Sequence, residues 1–396
     1  MFASSAGTWC GFLKIALVSD WYYPKIGGVA SHMHNLAIKL RSRGHEVAVV
    51  TNDRETGKEY ELERSGVRLV KIPGFVSPLF DVNITYSMRS SKDLSEFLSD
   101  FDVVHSHHAF TPLALKAVKA GRILKKASVL TTHSISLAHD SELWDIVGLT
   151  VPIFSTYLKY PSRVIAVSKA AEEFIKHFTD VPVSVIPNGV DTNVFRPARN
   201  GREKELAKAR FGLSGRSVVL YVGRMSYRKG PHLLLSAFAN IDDEKAVLVM
   251  VGTGDMLPLL KLQAKLLGVE SRVMFMNYVS DALLPEIYRA SDVFVAPSIV
   301  AEAFGLVILE AMASGVPVIA TSVGGIPEIL SSSGAGMLVA PSSERELSEA
   351  ISALLADRGL REIYGENGRR VVEEKYSWDI VVEQIERVYI EAISEL

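Results

Sequence analysis

Short apolar runs alternate with longer amphipathic segments along the chain. Residues 13–19 form a first strand-like run, and residues 30–43 follow with helical spacing and a glycine, Gly44, placed to end the helix. A second run at 46–51 completes a strand–helix–strand unit. Further strands are predicted within residues 101–110, 128–134, 163–168 and 183–191. This alternation predicts an α/β domain built on an open parallel sheet.

The same alternation repeats in the second half of the chain. A polar segment at 196–210, rich in Arg and Lys, is predicted to form the linker and the first helix of a second domain. Five strands separated by helical stretches are predicted at 217–222, 246–251, 272–276, 292–297 and 317–321. The pattern therefore predicts one Rossmann-like domain at 13–192 and a second at 200–377.

Composition and charge exclude several classes of protein. With 396 residues, 48% of them hydrophobic, the chain can bury two cores and is too apolar to be disordered. A net charge of −2 argues against a dedicated nucleic-acid binder, because that affinity comes mainly from many Lys and Arg contacts to phosphate. Cys10 is the only cysteine, so no intrachain disulfide can form and a reducing cytoplasm is the expected compartment.

No segment predicts insertion into a membrane. Residues 1–12 lack the basic start and the sustained apolar run of a signal peptide, and they are interpreted as an extension ahead of the fold. The longest mostly apolar stretch, 146–158, is interrupted by Thr, Pro and Ser and is too short to cross a bilayer. A globular protein without a membrane span is therefore expected.

Two carboxylates follow the predicted strand at 292–297. Glu302 lies in the loop after that strand, and Glu310 lies about five residues inside the next helix, roughly 7 Å along its axis. The helix is expected to begin near Gly305, where backbone N–H groups without intrahelical partners would attract phosphate. The spacing of the two carboxylates is common by chance, so their interpretation depends on what lies beside them.

Two cations follow the predicted strand at 217–222. The strand is expected to end at Gly223, and the loop after it carries Arg224 and Lys229. Two cations next to a candidate phosphate site suit a diphosphate.

Near the start of the chain, Gly27 and Gly28 either allow a ligand to approach the backbone or form only a tight turn, and they do not match the dinucleotide fingerprint G-x-G-x-x-G.

Four histidines lie at the ends of two predicted strands in the first half. His105, His107 and His108 follow one strand, and His133 ends the next. The first three suggest zinc binding, but no nearby cysteine or carboxylate completes a ligand set. We therefore predict that the protein holds no metal, and that one of these side chains orients a loop.

Several of these motifs occur together in an order that resembles the family 4 retaining glycosyltransferases, which have the GT-B fold. The motifs are Gly27-Gly28, His133, residues 185–191, Gly223-Arg224, Lys229-Gly230, residues 252–254, residues 279–281 and the Glu302 to Glu310 stretch. The resemblance covers the chain from Leu13 onward. Residues 20–32, 105–107 and 132–134 look most like the branch that includes phosphatidylinositol N-acetylglucosaminyltransferase catalytic subunits. The resemblance implies two Rossmann-like domains facing a central cleft, with the helix at 378–396 crossing back to the first domain.

The resemblance also implies a role for each site residue. Catalysis would involve His133, Glu302, Arg224 and Lys229, of which the first two contact the donor sugar and the last two hold the donor diphosphate. Glu310 would accept hydrogen bonds from the ribose, and residues near Val279 would contact the base. Further donor-binding positions would be Gly27, Gly28, Gly223, Gly252, Gly305 and Leu306. No cofactor and no divalent cation would be required.

The implied activity is retaining transfer of a sugar from a nucleoside-diphosphate donor to a hydroxyl group. The donor would be UDP-GlcNAc or a related UDP- or GDP-sugar, and the acceptor a sugar or a lipid such as phosphatidylinositol. Two alternatives stay open at this point: an enzyme similar to UDP-GlcNAc 2-epimerases, which also hold a diphosphate between two domains, and a nucleotide-sugar sensor without catalysis.

A helix predicted at 111–126 suggests a surface for anionic membranes. On a helical wheel, one arc is apolar and would face the sheet: Leu113, Ala114, Ala117, Val118 and Leu124. The other arc is basic and includes two apolar residues: Lys116, Lys119, Arg122, Leu115 and Ile123, with Lys125 and Lys126 following. One interpretation is a solvated charged face. The other is peripheral docking on anionic lipid, to which each basic side chain would contribute about 1 kcal/mol.

Overall fold

The computed structural model describes residues 11–23, 27–52, 57–72, 75–77, 82–84, 88–136, 151–300 and 302–396. Most of the predicted N-terminal extension, residues 1–10, lies outside these ranges. So do residues 24–26 of the loop before the first helix and residues 146–150 of the apolar stretch.

Within the described ranges, seven parallel strands form the sheet of the first domain. They are Lys14–Val18 (β1), Glu46–Asn52 (β2), Arg68–Ile72 (β3), Val103–His107 (β6), Ala127–Thr132 (β7), Arg163–Ala166 (β8) and Val183–Val185 (β9). Their order in the sheet is β3-β2-β1-β6-β7-β8-β9. A separate antiparallel pair consists of Phe75–Ser77 (β4) and Val82–Ile84 (β5). The central strands are buried on both faces, which explains why they are continuous apolar runs in the sequence.

The second domain contains six parallel strands among the residues that the structure describes, in the order β12-β11-β10-β13-β14-β15. They are Ser217–Val222 (β10), Ala246–Val251 (β11), Val273–Met276 (β12), Val293–Ala296 (β13), Val318–Thr321 (β14) and Gly336–Val339 (β15). The prediction of five strands is therefore wrong by one. The missing strand, β15, is short, begins with glycine and is half-buried over most of its length, so it lacks the apolar signature of the others.

Helices connect the strands and cover both sheets. Those of the first domain are Gly28–Ser42 (α1), Glu59–Arg64 (α2), Met88–Leu98 (α3), Pro112–Ile123 (α4), Val151–Tyr157 (α5) and Lys169–Ile175 (α6). Those that follow are Gly201–Arg210 (α7), Pro231–Ala239 (α8), Leu257–Leu266 (α9), Leu284–Ala290 (α10), Leu306–Ala313 (α11), Ile326–Leu330 (α12), Glu344–Ala356 (α13), Arg358–Lys375 (α14) and Trp378–Ser394 (α15). Single 3-10 turns occupy Tyr227–Lys229 and Glu270–Arg272.

In each sheet, the direction in which successive strands are added across the sheet reverses once, beside the first strand. In the second sheet, β10 pairs with β11 on one side and with β13 on the other, where Val219 lies beside Val293. In the first sheet, β1 stands in the same position between β2 and β6. Loops that leave the carboxyl ends of the two strands at such a reversal diverge and open a crevice, which is where open α/β sheets bind ligands.

The last helix, α15, belongs to the core of the first domain although it follows the second in the chain. Trp378, Val382 and Tyr389 are buried in one cluster with Ile15 and Leu17 of β1. The Tyr389 hydroxyl also lies 2.7 Å from His105 Nδ1 inside the first sheet. The hydrophobic core of the first domain is therefore built from both ends of the chain.

The basic helix α4 differs from its helical-wheel prediction at one residue. Leu115, which was placed on the outer basic arc, is only 6% exposed and packs in a cluster with Phe110 and Leu158. The reason is that this side of α4 lies against α5 instead of solvent. Ile123, on the same predicted arc, is 68% exposed.

No helix in the described parts of the chain is both long enough and apolar enough to span a bilayer.

Candidate active site

The loops after β10 and β13 meet at the reversal point of the second sheet. The first loop contains a 3-10 turn that ends at Lys229, and Gly230 follows with a left-handed φ of 66°. A Cβ added at Gly230 would lie 2.0 Å from the Pro297 carbonyl oxygen at the end of β13. Glycine at this position lets the two loops pack closely together, and the Ile299 amide donates to the Arg228 carbonyl at 2.8 Å.

Lys229 and Glu302 form an ion pair across these two loops. Both side chains are largely buried, and Ser298 Oγ donates a second hydrogen bond to Glu302 Oε2 at 3.3 Å. Although burial alone would raise the pKa of Glu302, the Lys229 ammonium and the Arg228 guanidinium outweigh it and hold that pKa below its usual value. Glu302 is therefore an ionised carboxylate with a fixed orientation.

Glu310 has a different environment, on the first turns of α11. The Tyr288 hydroxyl of α10 donates to Glu310 Oε2 at 2.8 Å. Burial raises the pKa of Glu310 to about 7, with a smaller contribution from Asp281, while the hydrogen bond from Tyr288 opposes this rise. The two carboxylates of the site thus differ in charge near neutral pH, because burial raises the pKa of Glu310 whereas two cations hold the pKa of Glu302 low.

A cavity lies between the Lys229–Glu302 ion pair and the start of α11. It has a volume of about 20 Å³ and is lined in part by Lys229, Ser298, Glu302 and Gly305. That volume holds roughly one water molecule. Gly305 caps α11 with a left-handed φ of 92°, and Leu306 is the first residue of the helix, so both stand at the helix end expected to receive phosphate.

Three other predicted donor residues, Arg224, Gly252 and Val279, do not line this cavity. Arg224 is exposed, and its carbonyl accepts a hydrogen bond from the Tyr221 hydroxyl at 2.7 Å. Gly252 follows β11 and lies directly against the Gly223 carbonyl, because an added Cβ would be 2.0 Å from that oxygen. Val279 is half-buried and packs on the core of the second domain.

On the first domain, His133 lies in a group of three imidazoles at the ends of β6 and β7. His107 Nδ1 is 3.5 Å from His133 Nε2, and the third ring belongs to His32 of α1. The other two histidines of the sequence motif point elsewhere. His105 contacts Thr131 and Tyr389 inside the domain, and the His108 ring lies 3.9 Å from that of Trp21.

Gly27 and Gly28 stand at the start of α1. Both are exposed, and a Cβ added at either would meet no described atom within 4 Å. Contacts within the described chain thus give no reason for glycine at these two positions, and their proposed closeness to a ligand stays a prediction.

Several contacts join the two domains beside the site. Ser168 Oγ donates to the Ala303 carbonyl at 2.7 Å, one residue after Glu302. A Cβ added at Gly324 would lie 2.0 Å from the Glu302 carbonyl oxygen and 2.8 Å from Ile135 Cδ1, two residues after His133. The His133 loop and the Glu302 loop are therefore neighbours across the cleft.

A salt bridge and a helix cap add to this interface. Lys58 Nζ lies 2.6 Å from Asp281 Oδ2, joining the start of α2 to the loop before α10. The Glu328 carboxylate of α12 accepts from the Lys169 amide at 2.8 Å and from the Ala170 amide at 3.1 Å. An acidic side chain is favourable at this position because the first turn of a helix carries a partial positive charge.

The structure thus brings Lys229, Glu302 and Gly305 together, places Glu310 on the same helix end, and leaves Arg224 exposed in the adjacent loop.

Sequence reasoning did not identify Tyr288 or His32. No local pattern marks Tyr288, since it acts on a residue 22 positions later. A signal for His32 was present, because it lies one helical turn after Gly28 on α1 and so near the same end of the sheet.

Comparisons with known proteins agree with this architecture. A family model described as Glycosyltransferase Family 4 matches residues 26–194, and one described as Glycosyl transferases group 1 matches residues 203–371. The crystal structure of Anabaena HepE in complex with UDP and glucose is similar over 97% of this chain and 100% of that one, with a TM-score of 0.81 at 23% identity. This likeness confirms the GT-B fold.

Two relatives match almost end to end. An uncharacterized glycosyltransferase of Methanocaldococcus jannaschii is 32% identical over 95% of this chain and 98% of its own length. The phosphatidyl-myo-inositol mannosyltransferase of Mycolicibacterium smegmatis is 32% identical over 95% of this chain and 93% of its own. With the two sheets and the cleft-side loops described above, these matches show that the chain belongs to the family 4 glycosyltransferases.

Proposed function

We propose that the protein transfers a sugar, with retention of anomeric configuration and without a metal ion, from a nucleoside diphosphate to a hydroxyl group of an inositol phospholipid. The observation that carries this proposal is the Lys229–Glu302 ion pair at the reversal point of the second sheet, next to the start of α11. It combines a cation, a helix end and a fixed carboxylate within one small volume, which suits a diphosphate attached to a sugar.

Each side chain then has a defined task. Lys229, Arg224 and the amides at Gly305 and Leu306 would neutralise the charge that develops on the departing diphosphate. Glu302, held ionised, would accept hydrogen bonds from hydroxyls of the transferred sugar. The cavity of about 20 Å³ is too small for a nucleotide sugar, so donor binding would require the surrounding loops to separate.

Retention is proposed from the family resemblance, and the engagement of the two carboxylates supports a route without a covalent intermediate on the protein. Retaining glycosidases use one carboxylate as nucleophile and a second as acid and base, about 5 Å apart. Here Glu302 is paired with Lys229, and Glu310 accepts from Tyr288, so both have binding partners. As the family resemblance implies, the acceptor hydroxyl would attack the anomeric carbon on the face that the diphosphate leaves, and a phosphate oxygen would take the hydroxyl proton.

Two observations support a lipid acceptor. One relative is named as acting on phosphatidyl-myo-inositol, at 32% identity over 95% of this chain. In addition, α4 of the first domain ends in an exposed group that contains Arg122, Ile123 and Lys125. Cations next to an exposed apolar side chain can bind an anionic bilayer surface, which would hold the first domain against its acceptor.

The donor and the stereochemistry are tested first. A thermal-shift screen of UDP- and GDP-sugars, beginning with UDP-GlcNAc, identifies the donor because a ligand that binds only the folded state raises apparent stability. The selected donor is then incubated with phosphatidylinositol vesicles, and the anomeric configuration of the product is read by NMR. We expect a new glycoside with the configuration of the donor. An inverted product, or an epimerised sugar without transfer, would contradict the proposal.

Membrane docking is tested separately by co-sedimentation with vesicles. Recovery should rise with the fraction of anionic lipid and fall with salt, and should drop in Arg122→Ser/Lys125→Asn; asparagine is chosen because Lys125 has a left-handed φ of 54°. The control is Arg345→Ser/Arg358→Ser, which removes two exposed charges from the second domain. Equal recovery on neutral and anionic vesicles would exclude this surface.

A further inference from the structure

Three imidazoles from three different elements meet on the cleft side of the first sheet. His32 lies on α1, His107 ends β6 and His133 follows β7. One nitrogen from each ring lies within 4.8 Å of the other two. The sequence-based expectation of no metal considered His105, His107 and His108, whereas the structure groups a different set of three.

From this arrangement we propose that His32, His107 and His133 form a binding site for a zinc ion. Imidazole suits zinc, and three protein ligands with one open position are typical of zinc sites that exchange their fourth ligand. His32 and His107 are buried, while His133 is half-exposed, so an ion can enter from the cleft past His133.

The spacing of the three rings fits such an ion. Tetrahedral zinc with Zn–N bonds of about 2.0 Å lies roughly 3.2 Å from each ring centre, which separates the ring centres by about 5.2 Å. The observed separations are 5.1 Å for His32 and His133, 5.5 Å for His32 and His107, and 5.8 Å for His107 and His133. The nitrogens lie up to 4.8 Å apart, whereas two ligands on tetrahedral zinc lie about 3.3 Å apart, so side-chain rotation has to bring them closer to the ion.

The ring nitrogens also lack better partners. Apart from the Asn188 side chain, which lies beside His32, neither nitrogen of His32 nor Nε2 of His107 has a partner in hydrogen-bonding geometry among the described residues. A buried polar group that is left without a partner destabilises the fold.

The Asn188 side chain is placed to orient His32. The Asn188 side chain adjoins His32, and its amide oxygen has no partner among the described residues. Histidines that bind metals usually donate their second N–H to an oxygen, which fixes the ring. Asn188 is placed to accept that bond when His32 uses its other nitrogen for the ion.

Zinc binding is measured on the full chain without a polyhistidine tag, by equilibrium dialysis against zinc chloride. We expect about one ion per chain for the unmodified protein, a loss of at least about 100-fold in affinity for His32→Gln, and a loss of about 10- to 100-fold for Asn188→Ala. His177→Gln is the matched control, since His177 is exposed on the first domain and hydrogen-bonds to the nearby Glu173 and Phe174 carbonyls. Equal zinc binding by His32→Gln and His177→Gln would overturn the proposal.

A second measurement does not depend on the variants folding. Cobalt added to the unmodified protein should produce the intense visible absorption of a tetrahedral site, and zinc should remove it. A weak spectrum, like that of cobalt in water, would also overturn the proposal.

A third measurement concerns activity and rests on the proposed function. Zinc should inhibit sugar transfer at the concentration at which it binds, because it withdraws His133 from the donor sugar, and a chelator should restore activity. If zinc binds and transfer continues unchanged, the site stands and the proposed contact of His133 with the donor sugar is wrong.

Discussion

The raised pKa of Glu310 predicts that donor binding depends on pH in the neutral range. Glu310 is assigned to the ribose hydroxyls, and only an ionised carboxylate accepts from both of them without donating. Burial raises its pKa to about 7. Affinity for the donor should therefore increase as pH rises through this value, since the ionised fraction increases.

The size of the effect follows from the titration. With a pKa of about 7, the ionised fraction of Glu310 is about 0.09 at pH 6 and about 0.91 at pH 8. If the protonated form contributes little to binding, the dissociation constant of the donor falls about tenfold over this interval. In Glu310→Gln the affinity should be lower and should change little with pH.

Isothermal titration calorimetry with the intact nucleotide sugar measures this dependence. The free nucleoside diphosphate is unsuitable, because its terminal phosphate titrates near pH 6 and would add its own slope. Tyr288→Phe provides a third profile: it removes the hydrogen bond that lowers the pKa of Glu310, so its curve should shift to higher pH.

A constant affinity of the unmodified protein between about pH 6 and pH 8 would refute the raised pKa or the ribose contact. The same slope in Glu310→Gln would show that another group titrates. Asp281 is the other acidic side chain that acts on Glu310, so Asp281→Asn should lower the pKa and move the curve to lower pH.

Three further predictions concern the same site. Glu302→Gln should lower kcat more than it changes KM, because contacts to the transferred sugar strengthen in the transition state, and a change confined to KM would contradict this role. Arg224→Ala and Lys229→Ala should each reduce kcat/KM by at least about 30-fold, or about 2 kcal/mol, and near-normal values would exclude them from the diphosphate site. Activity should persist in EDTA, because these cations and the start of α11 supply the positive charge, and a loss reversed only by Mg²⁺ or Mn²⁺ would contradict metal independence.

The sequence predicted those parts of the fold that depend on local pattern. Strands β10 and β11 coincide with their predicted bounds, because strands buried on both faces are continuous apolar runs. β15 was missed because it is short and half-buried. Leu115 was misplaced because a helical wheel considers one buried face, while α4 packs against the sheet on one side and against α5 on another.

The site shows the same division between local and distant features. Lys229 and Glu302 could each be placed at the carboxyl end of a strand, but their pairing joins residues 73 positions apart and depends on the order of strands in the sheet. The Tyr288 hydroxyl and the His32 ring reach their neighbours through tertiary packing alone. Sequence patterns therefore located the loops of the site but not the protonation states that its contacts impose.

The return of α15 to the first domain affects how the chain folds during synthesis. About 190 residues separate β9 from α15, which corresponds to roughly 10 to 40 seconds of translation. Until Trp378, Val382 and Tyr389 leave the ribosome, the apolar side of β1 that they cover has no partner from α15. The second domain, which needs no residue beyond α14 for its sheet, can close first, so the order in which the domains are completed reverses their order in the sequence.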